Sequence, residues 1–250
     1  MSSYTLSVSP DFAPEHLSGW FIFNTWLQKT LKTPFHLELY DDFESQRRDI
    51  QLDKIDLIYA NPYDAAMLVR DKGFTAVARP LNRSDEAIIA VSDASSYQCI
   101  DDLGVGIRIA TTHDPDVNMM GMIMIEPADL DRSNVSLRSV HSYVVVAKHL
   151  LNGQADIGFF LKDAFFDLAD LTRNQMRVLV ESQIDVIHHT LLAGPKIQHL
   201  ISPLLNNLLI MQQDIKGKSV LDSMQMPGWM EMGQEDTEFM IDLIDTLIDE

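Results

Sequence analysis

Residues 54–63 read Lys-Ile-Asp-Leu-Ile-Tyr-Ala-Asn-Pro-Tyr, and a near-echo, Gln154-Ala155-Asp156-Ile157-Gly158-Phe159-Phe160, returns about a hundred residues later. Each copy sets an unbroken apolar run after an aspartate and before a polar break. That is how a strand covered on both faces of a parallel sheet reads. The echo extends backwards: Thr5 to Ser9, followed by Pro10-Asp11, corresponds to Gly106 to Ala110, followed by Thr111-Thr112-His113-Asp114-Pro115. His36 to Tyr40 corresponds in the same way to Ser136 to Val140. Twice, then, the order is strand, helix, strand, helix, strand, and this predicts an α/β chain of two lobes, each a mostly parallel sheet flanked by helices.

Working outward from these strands, Ser92 to Asp102, rich in Ser, Asp and Ala, reads as the crossing into the second lobe, and Asp185 to Ala193 is apolar and long enough to cross back. The expected division is lobe one at 1–92 and 190–250 and lobe two at 93–189, with a two-stranded hinge and a cleft between the lobes. Local signals agree with the element order. A helix opening at Pro14-Glu15 carries Leu17, Trp20, Phe21, Phe23, Trp26, Leu27 and Leu31 on a broad apolar face. Asp42 stands where a cap accepts from free backbone amides, and Gly73 stops the helix from Tyr63 to Lys72. Met226 to Met230 reads as a tight turn before an amphipathic terminal helix with Phe239, Met240, Leu243, Ile244, Leu247 and Ile248 at helical spacing.

The chain has 250 residues, 46% of them apolar, enough for a proper core, and a formal net charge of -18. Without a basic stripe to neutralise phosphates, neither nucleic acid nor an anionic membrane is an expected partner. No run approaches the ~18 apolar residues that a membrane-spanning helix needs. The lone cysteine, Cys99, excludes an internal disulfide and a cysteine-cluster metal site. Met1 to Ser9 lacks a basic start and a long apolar run, so the expected location is cytoplasmic, or periplasmic if a signal peptide has been removed.

In open parallel sheets, ligands sit beyond the carboxyl ends of the strands. That rule selects Phe12, Phe43, Tyr59, Asn61 and Tyr63 in the first lobe, and Thr111, Thr112, His113, Ser142 and Tyr143 in the second. Small hydroxyl residues at a strand-to-helix turn can donate to an anion together with free amides, and the helix dipole adds to the attraction. The same residues also read as simple caps of a helix beginning near Asp116. No Gly-rich phosphate loop, nucleophile elbow or His-Glu metal spacing is present, so no catalytic residue, metal or cofactor is assigned. The adjacent His188 and His189 point to opposite faces of an extended run, which is poor geometry for a shared metal.

At these same residues the chain resembles the substrate-binding proteins of phosphate, phosphite and phosphonate ABC transporters. The resemblance spans Val8 to Leu31, Lys54 to Tyr63, Ala78-Arg79-Pro80, Asp102-Leu103-Gly104 leading to Ala110-Thr111-Thr112, Ser142 to Gly153, and the Pro227-Gly228-Trp229 turn. It implies the two-lobed type 2 periplasmic-binding-protein fold, with an oxyanion held by a Ser/Thr-rich helix start, here Thr111 and Thr112, and by tyrosines, here Tyr59 and Tyr63. Three positions depart from the family pattern. Thr111 to Asp114 stands in place of a Ser-Thr-Ser-Gly type loop, Phe43 stands where a tyrosine is common, and Leu161 stands where an acidic residue meets a ligand amine.

The expected function is therefore non-enzymatic binding of a small anionic, phosphonate-like ligand in the interlobe cleft. The alternative is a cytoplasmic regulatory or scaffold protein that kept the fold and lost the ligand, meeting a protein partner through its acidic C-terminal helix. A third reading, an enzyme on this fold such as a pyrimidine-precursor synthase relative, has only His113 to offer as a catalytic group.

Overall fold

The computed structural model describes residues 3–11 and 17–248. In chain order the elements are β1 (Tyr4–Val8), α1 (Leu17–Leu31), β2 (Phe35–Glu38), α2 (Phe43–Gln51), β3 (Leu57–Ala60), α3 (Pro62–Lys72) and β4 (Thr75–Pro80). There follow β5 (Ala87–Ser92), β6 (Arg108–Thr111), α4 (Pro115–Ile125), β7 (Ser136–Ser139), α5 (Tyr143–Leu151), β8 (Ile157–Leu161), the short α6 (Lys162–Phe166) and α7 (Asp170–Arg173), and β9 (Met176–Glu181). The last are β10 (Thr190–Ala193), α8 (Ile201–Leu209), α9 (Ile215–Ser223), β11 (Trp229–Glu231) and α10 (Gln234–Ile248). The expected helix opening at Pro14-Glu15 lies outside the described residues.

The chain forms two compact units, one of residues 1–84 and 186–246 and the other of 85–185 with 247–250. The expected breaks at 92 and 189 fall later than both divisions. The difference is β5. Its run Ala-Ile-Ile-Ala-Val is wholly buried and pairs with β8 and β9, so it belongs to the second sheet.

Unit one holds a six-stranded sheet in the order β11-β4-β10-β3-β1-β2, and unit two a five-stranded sheet in the order β7-β6-β8-β5-β9. Both are mixed. The β1–β2 and β1–β3 pairs, like β6–β7 and β6–β8, are parallel, as the repeated strand-helix-strand order requires. Every pair made by β10, β11 or β5 is antiparallel, which corrects the expectation of mostly parallel sheets. β5 and β10, the strands beside the two crossings, run against the strands they join, as β11 does at the edge of its sheet.

The echo has a physical basis. The Asp56 carboxylate accepts from the Thr5 amide at 2.9 Å, and the Asp156 carboxylate accepts from the Arg108 amide at the same distance. Each aspartate ties the start of the third strand of its motif to the first. These bonds match Thr5 with Arg108, two residues beyond the expected partner Gly106. A slip of two keeps the in-out alternation of a strand, so the sequence pattern does not expose it.

Unit one buries Leu6, Val8, Trp20, Phe23, Leu27, Leu57, Leu191 and Trp229 in one core, and unit two buries Ile88, Ile89, Ile109, Val117, Val146, Phe159 and Phe160 in another. Between β9 and β10 the chain is tied to the segment before β5 by Glu86. Its buried carboxylate accepts from the Ser182 hydroxyl and from the Ile184 and Asp185 amides, the latter at 3.1 and 2.9 Å. Cys99 is an exposed free thiol.

Helix α1 reaches α9 through Gly19, where a Cβ would lie 2.3 Å from the carbonyl oxygen of Ser223. That neighbour is backbone and cannot rotate away. Gly19→Ala is expected to cost about 1–3 kcal/mol, seen as a lower urea midpoint with an unchanged slope. An unchanged midpoint would show that the two helices can separate without loss.

Candidate functional site

In unit one the described sequence-selected residues stand at or just beyond the carboxyl ends of β2 and β3. Tyr59 is buried, its ring 4.9 Å from Trp20, 5.8 Å from Trp229 and stacked at 5.4 Å on His189. His189 in turn shares a 2.9 Å hydrogen bond with the buried Asp11 carboxylate, while His188 bonds the Arg83 carbonyl. The two histidines therefore serve separate contacts. Asn61 is fully buried and caps α3: its oxygen accepts from the Asp64 amide at 2.8 Å, and its amide group donates to Asp64 and to the Ser9 hydroxyl. Proline at the next position, with its fixed φ and missing N–H, suits the first helical turn.

Tyr63 and Phe43 flank a cation. The Arg47 guanidinium lies 5.1 Å from the Tyr63 ring centroid and 5.2 Å from that of Phe43, within cation–π range. It also makes a two-pronged bond to the buried Asp64 carboxylate, at 2.6 and 3.1 Å. Arg47 and Asp64 escaped the sequence reading because the pairing joins α2 to α3. The one local signal was the Asn-Pro-Tyr-Asp helix start. Phe12 lies outside the described residues.

In unit two, Thr111 ends β6 and is fully buried, and its hydroxyl has no hydrogen-bond partner among the described residues. The Thr112 hydroxyl is engaged, accepting from the Asp114 amide at 3.3 Å, and its carbonyl accepts from the Asn118 side chain. His113 is exposed. Ser142 stands at the N-cap of α5 without a side-chain cap bond.

Tyr143 turns inward and donates its hydroxyl to the Asp114 carboxylate at 2.8 Å. The other oxygen of Asp114 accepts from the amides of Asp116 and Val117, at 3.1 and 3.3 Å. The start of α4 is thus capped by the chain's own carboxylate, which the sequence places in the Thr111 to Asp114 loop without marking it as the cap; its signal is Asp-Pro-Asp, an acid one step before a proline. At the end of β8, Lys162 is paired with Glu181, and that contact holds its ammonium above the ordinary lysine range. Among the described residues no group of three or more His, Cys, Asp or Glu could hold a metal, and no helix is long and apolar enough to cross a membrane.

Two α/β units with mixed sheets, each built on a strand-helix repeat with polar groups at the strand ends, define a periplasmic-binding-protein fold. The chain belongs to the family of ABC transporter, phosphonate, periplasmic substrate-binding proteins, whose model it matches over residues 6–237. In fold it is similar to PhnD1 from Prochlorococcus marinus (MIT 9301), solved with methylphosphonate, with a TM-score of 0.84, 11% identity and 99% of each chain covered. A binding-protein component of an ABC phosphonate transporter from Pseudomonas aeruginosa gives a TM-score of 0.80 at 14% identity, over 98% of this chain and 86% of that one. The periplasmic aliphatic sulphonate binding protein SsuA from Escherichia coli gives 0.66 at 13%, over 98% and 87%. No curated protein sequence matches the chain. Its role is accordingly ligand binding and not enzymatic turnover.

Tyr143 and Thr111 make opposite predictions for the ligand-free protein. Tyr143→Phe removes a donor from a buried carboxylate and should cost about 1.5–3 kcal/mol in chemical denaturation. Thr111→Val deletes a buried hydroxyl that has no partner among the described residues, and should stabilise by about 1 kcal/mol. A destabilised Thr111→Val would mean that its hydroxyl is satisfied within the protein.

Proposed function

We propose that the chain is the ligand-binding component of an uptake system and holds a small oxyanion of the phosphonate class at its strand ends. The observation that carries this reading is the Thr111 hydroxyl, fully buried at the end of β6 and without a hydrogen-bond partner among the described residues. A fold that tolerates such a group loses stability unless something else bonds to it. The family match supports the same class of ligand. Within unit two, Ser142 at the start of α5 and the exposed His113 are the further groups proposed to face the ligand, and Tyr63 is the corresponding candidate in unit one. Thr112, Asn61 and Tyr143 act through the caps they hold, and Tyr59 and Phe43 through the rings they pack.

The alternative of a scaffold working through the acidic terminal helix finds no support in the comparisons. The apolar face of α10 is used within the fold, with Met240 and Ile244 fully buried, and Arg70 pairs with its Asp245. By its description the family is periplasmic, and fractionation of cells decides between that compartment and the cytoplasm expected from the sequence.

Thermal-shift screening against phosphonates, phosphite, phosphate and sulfonates tests the reading. A ligand at about 100 times its dissociation constant adds about 2.7 kcal/mol. Thr111→Val should weaken the hit by about tenfold or more, the value of one hydrogen bond to a charged group, while leaving the protein folded. Absence of any oxyanion response would overturn the proposal.

A further inference from the structure

The start of α4 is where the family resemblance places the ligand's oxyanion, and in this chain that seat is filled. Asp114 Oδ1 accepts from the Asp116 and Val117 amides, and Oδ2 accepts from the Tyr143 hydroxyl. Asp114 is 2% exposed, and Asp116, in the first turn of the same helix, is 3% exposed. Two acidic side chains are therefore built into the turn that follows the unpartnered Thr111 hydroxyl. The first-turn amides and helix dipole, which otherwise attract an incoming anion, already serve a carboxylate of the protein. Thr111 remains as the donor a ligand can take.

From this we infer that Asp114 sets the charge of the ligand: the site takes a monoanionic oxyacid, such as a sulfonate or an alkyl hydrogen phosphonate, in preference to a dianion. The inference rests on the proposed oxyanion role and narrows it. Repulsion from a fixed charge grows in proportion to the charge on the ligand, so a dianion meets about twice the opposition that a monoanion of the same shape does. The Thr111 hydroxyl also attracts a dianion more strongly, but it is one neutral dipole, whose pull falls off faster with distance than the field of a full carboxylate charge.

Methanesulfonate and methylphosphonate make the comparison, being of similar size and shape and differing in charge at a pH where the phosphonate is doubly ionised. Calorimetric titration of the unaltered protein should show methanesulfonate binding tighter by about tenfold or more. Asp114→Asn keeps the shape and remains a good helix cap, and with Asp116 still in place it should lower the ratio of the two affinities severalfold toward one. Asp114→Ser, another good cap, gives the same comparison if the asparagine variant is poorly folded. A merely structural role for Asp114 would weaken both ligands together and leave their ratio unchanged, and that result overturns the inference. So does preference of the unaltered protein for the dianion, which would leave the oxyanion reading standing. If neither ligand binds any of the three forms while the proteins remain folded, the oxyanion reading falls and this inference with it.

Discussion

A strand buried on both faces must find backbone partners along both of its edges, because water cannot reach the groups it leaves unpaired. In this chain that requirement is met by strands next to the crossings. In unit one β10 lies between β3 and β4, and in unit two β5 lies between β8 and β9. The parallel three-strand motif of each unit ends at β3 or β8, and the antiparallel strand beside it links the motif to the rest of the sheet. Everything at the strand ends depends on this arrangement. Tyr59 and His189 stack because β3 and β10 are neighbours, and Thr111 is buried because β6 is central between β7 and β8.

The two motifs are alike beyond their order. With Thr5 matched to Arg108, Val8 falls opposite Thr111 and Asp11 opposite Asp114. Both acids follow the first strand of their motif by three residues, and both have a side-chain partner from elsewhere in their unit, His189 for Asp11 and Tyr143 for Asp114. In a protein of net charge -18, negative groups are thus present at the strand ends as well as on the surface. Attraction for an anion has to come from short-range donors, and among them the Arg47 guanidinium is bound to Asp64 and the Lys162 ammonium to Glu181.

The architecture was legible because it rests on signals that are local and repeated. An aspartate before an apolar run, a proline at a helix start and a glycine at a helix end each act within a few residues. Gly73, for instance, adopts φ 67° as the cap of α3, as its position before β4 suggests. The assignment of β5 was not legible, since a run buried on both faces looks the same whichever sheet receives it. The strand-end positions Thr111 and Tyr59 could be found from the fold rule alone. What could not be read was occupancy. Whether a helix start is open to a ligand or closed by Asp114 depends on Tyr143, nearly thirty residues on, and whether Tyr63 is available depends on Arg47 from another helix.

The central place of β10 has a consequence for the order in which the molecule can be made. All five strands of the second sheet lie within residues 85–185, an unbroken stretch whose first and last strands pair, Ile88 opposite Glu181. The first sheet is interrupted. While the ribosome is still producing that stretch, β3 and β4 have no strand between them, since residues 190–193 have yet to emerge. At synthesis rates of roughly 5–20 residues per second the gap lasts roughly 6–23 seconds. The first 84 residues spend that time with unpaired strand edges, while the middle of the chain already has all it needs to fold. The second sheet is therefore complete in the growing chain before the first, and the N-terminal segment is the one that waits longest for its missing strand.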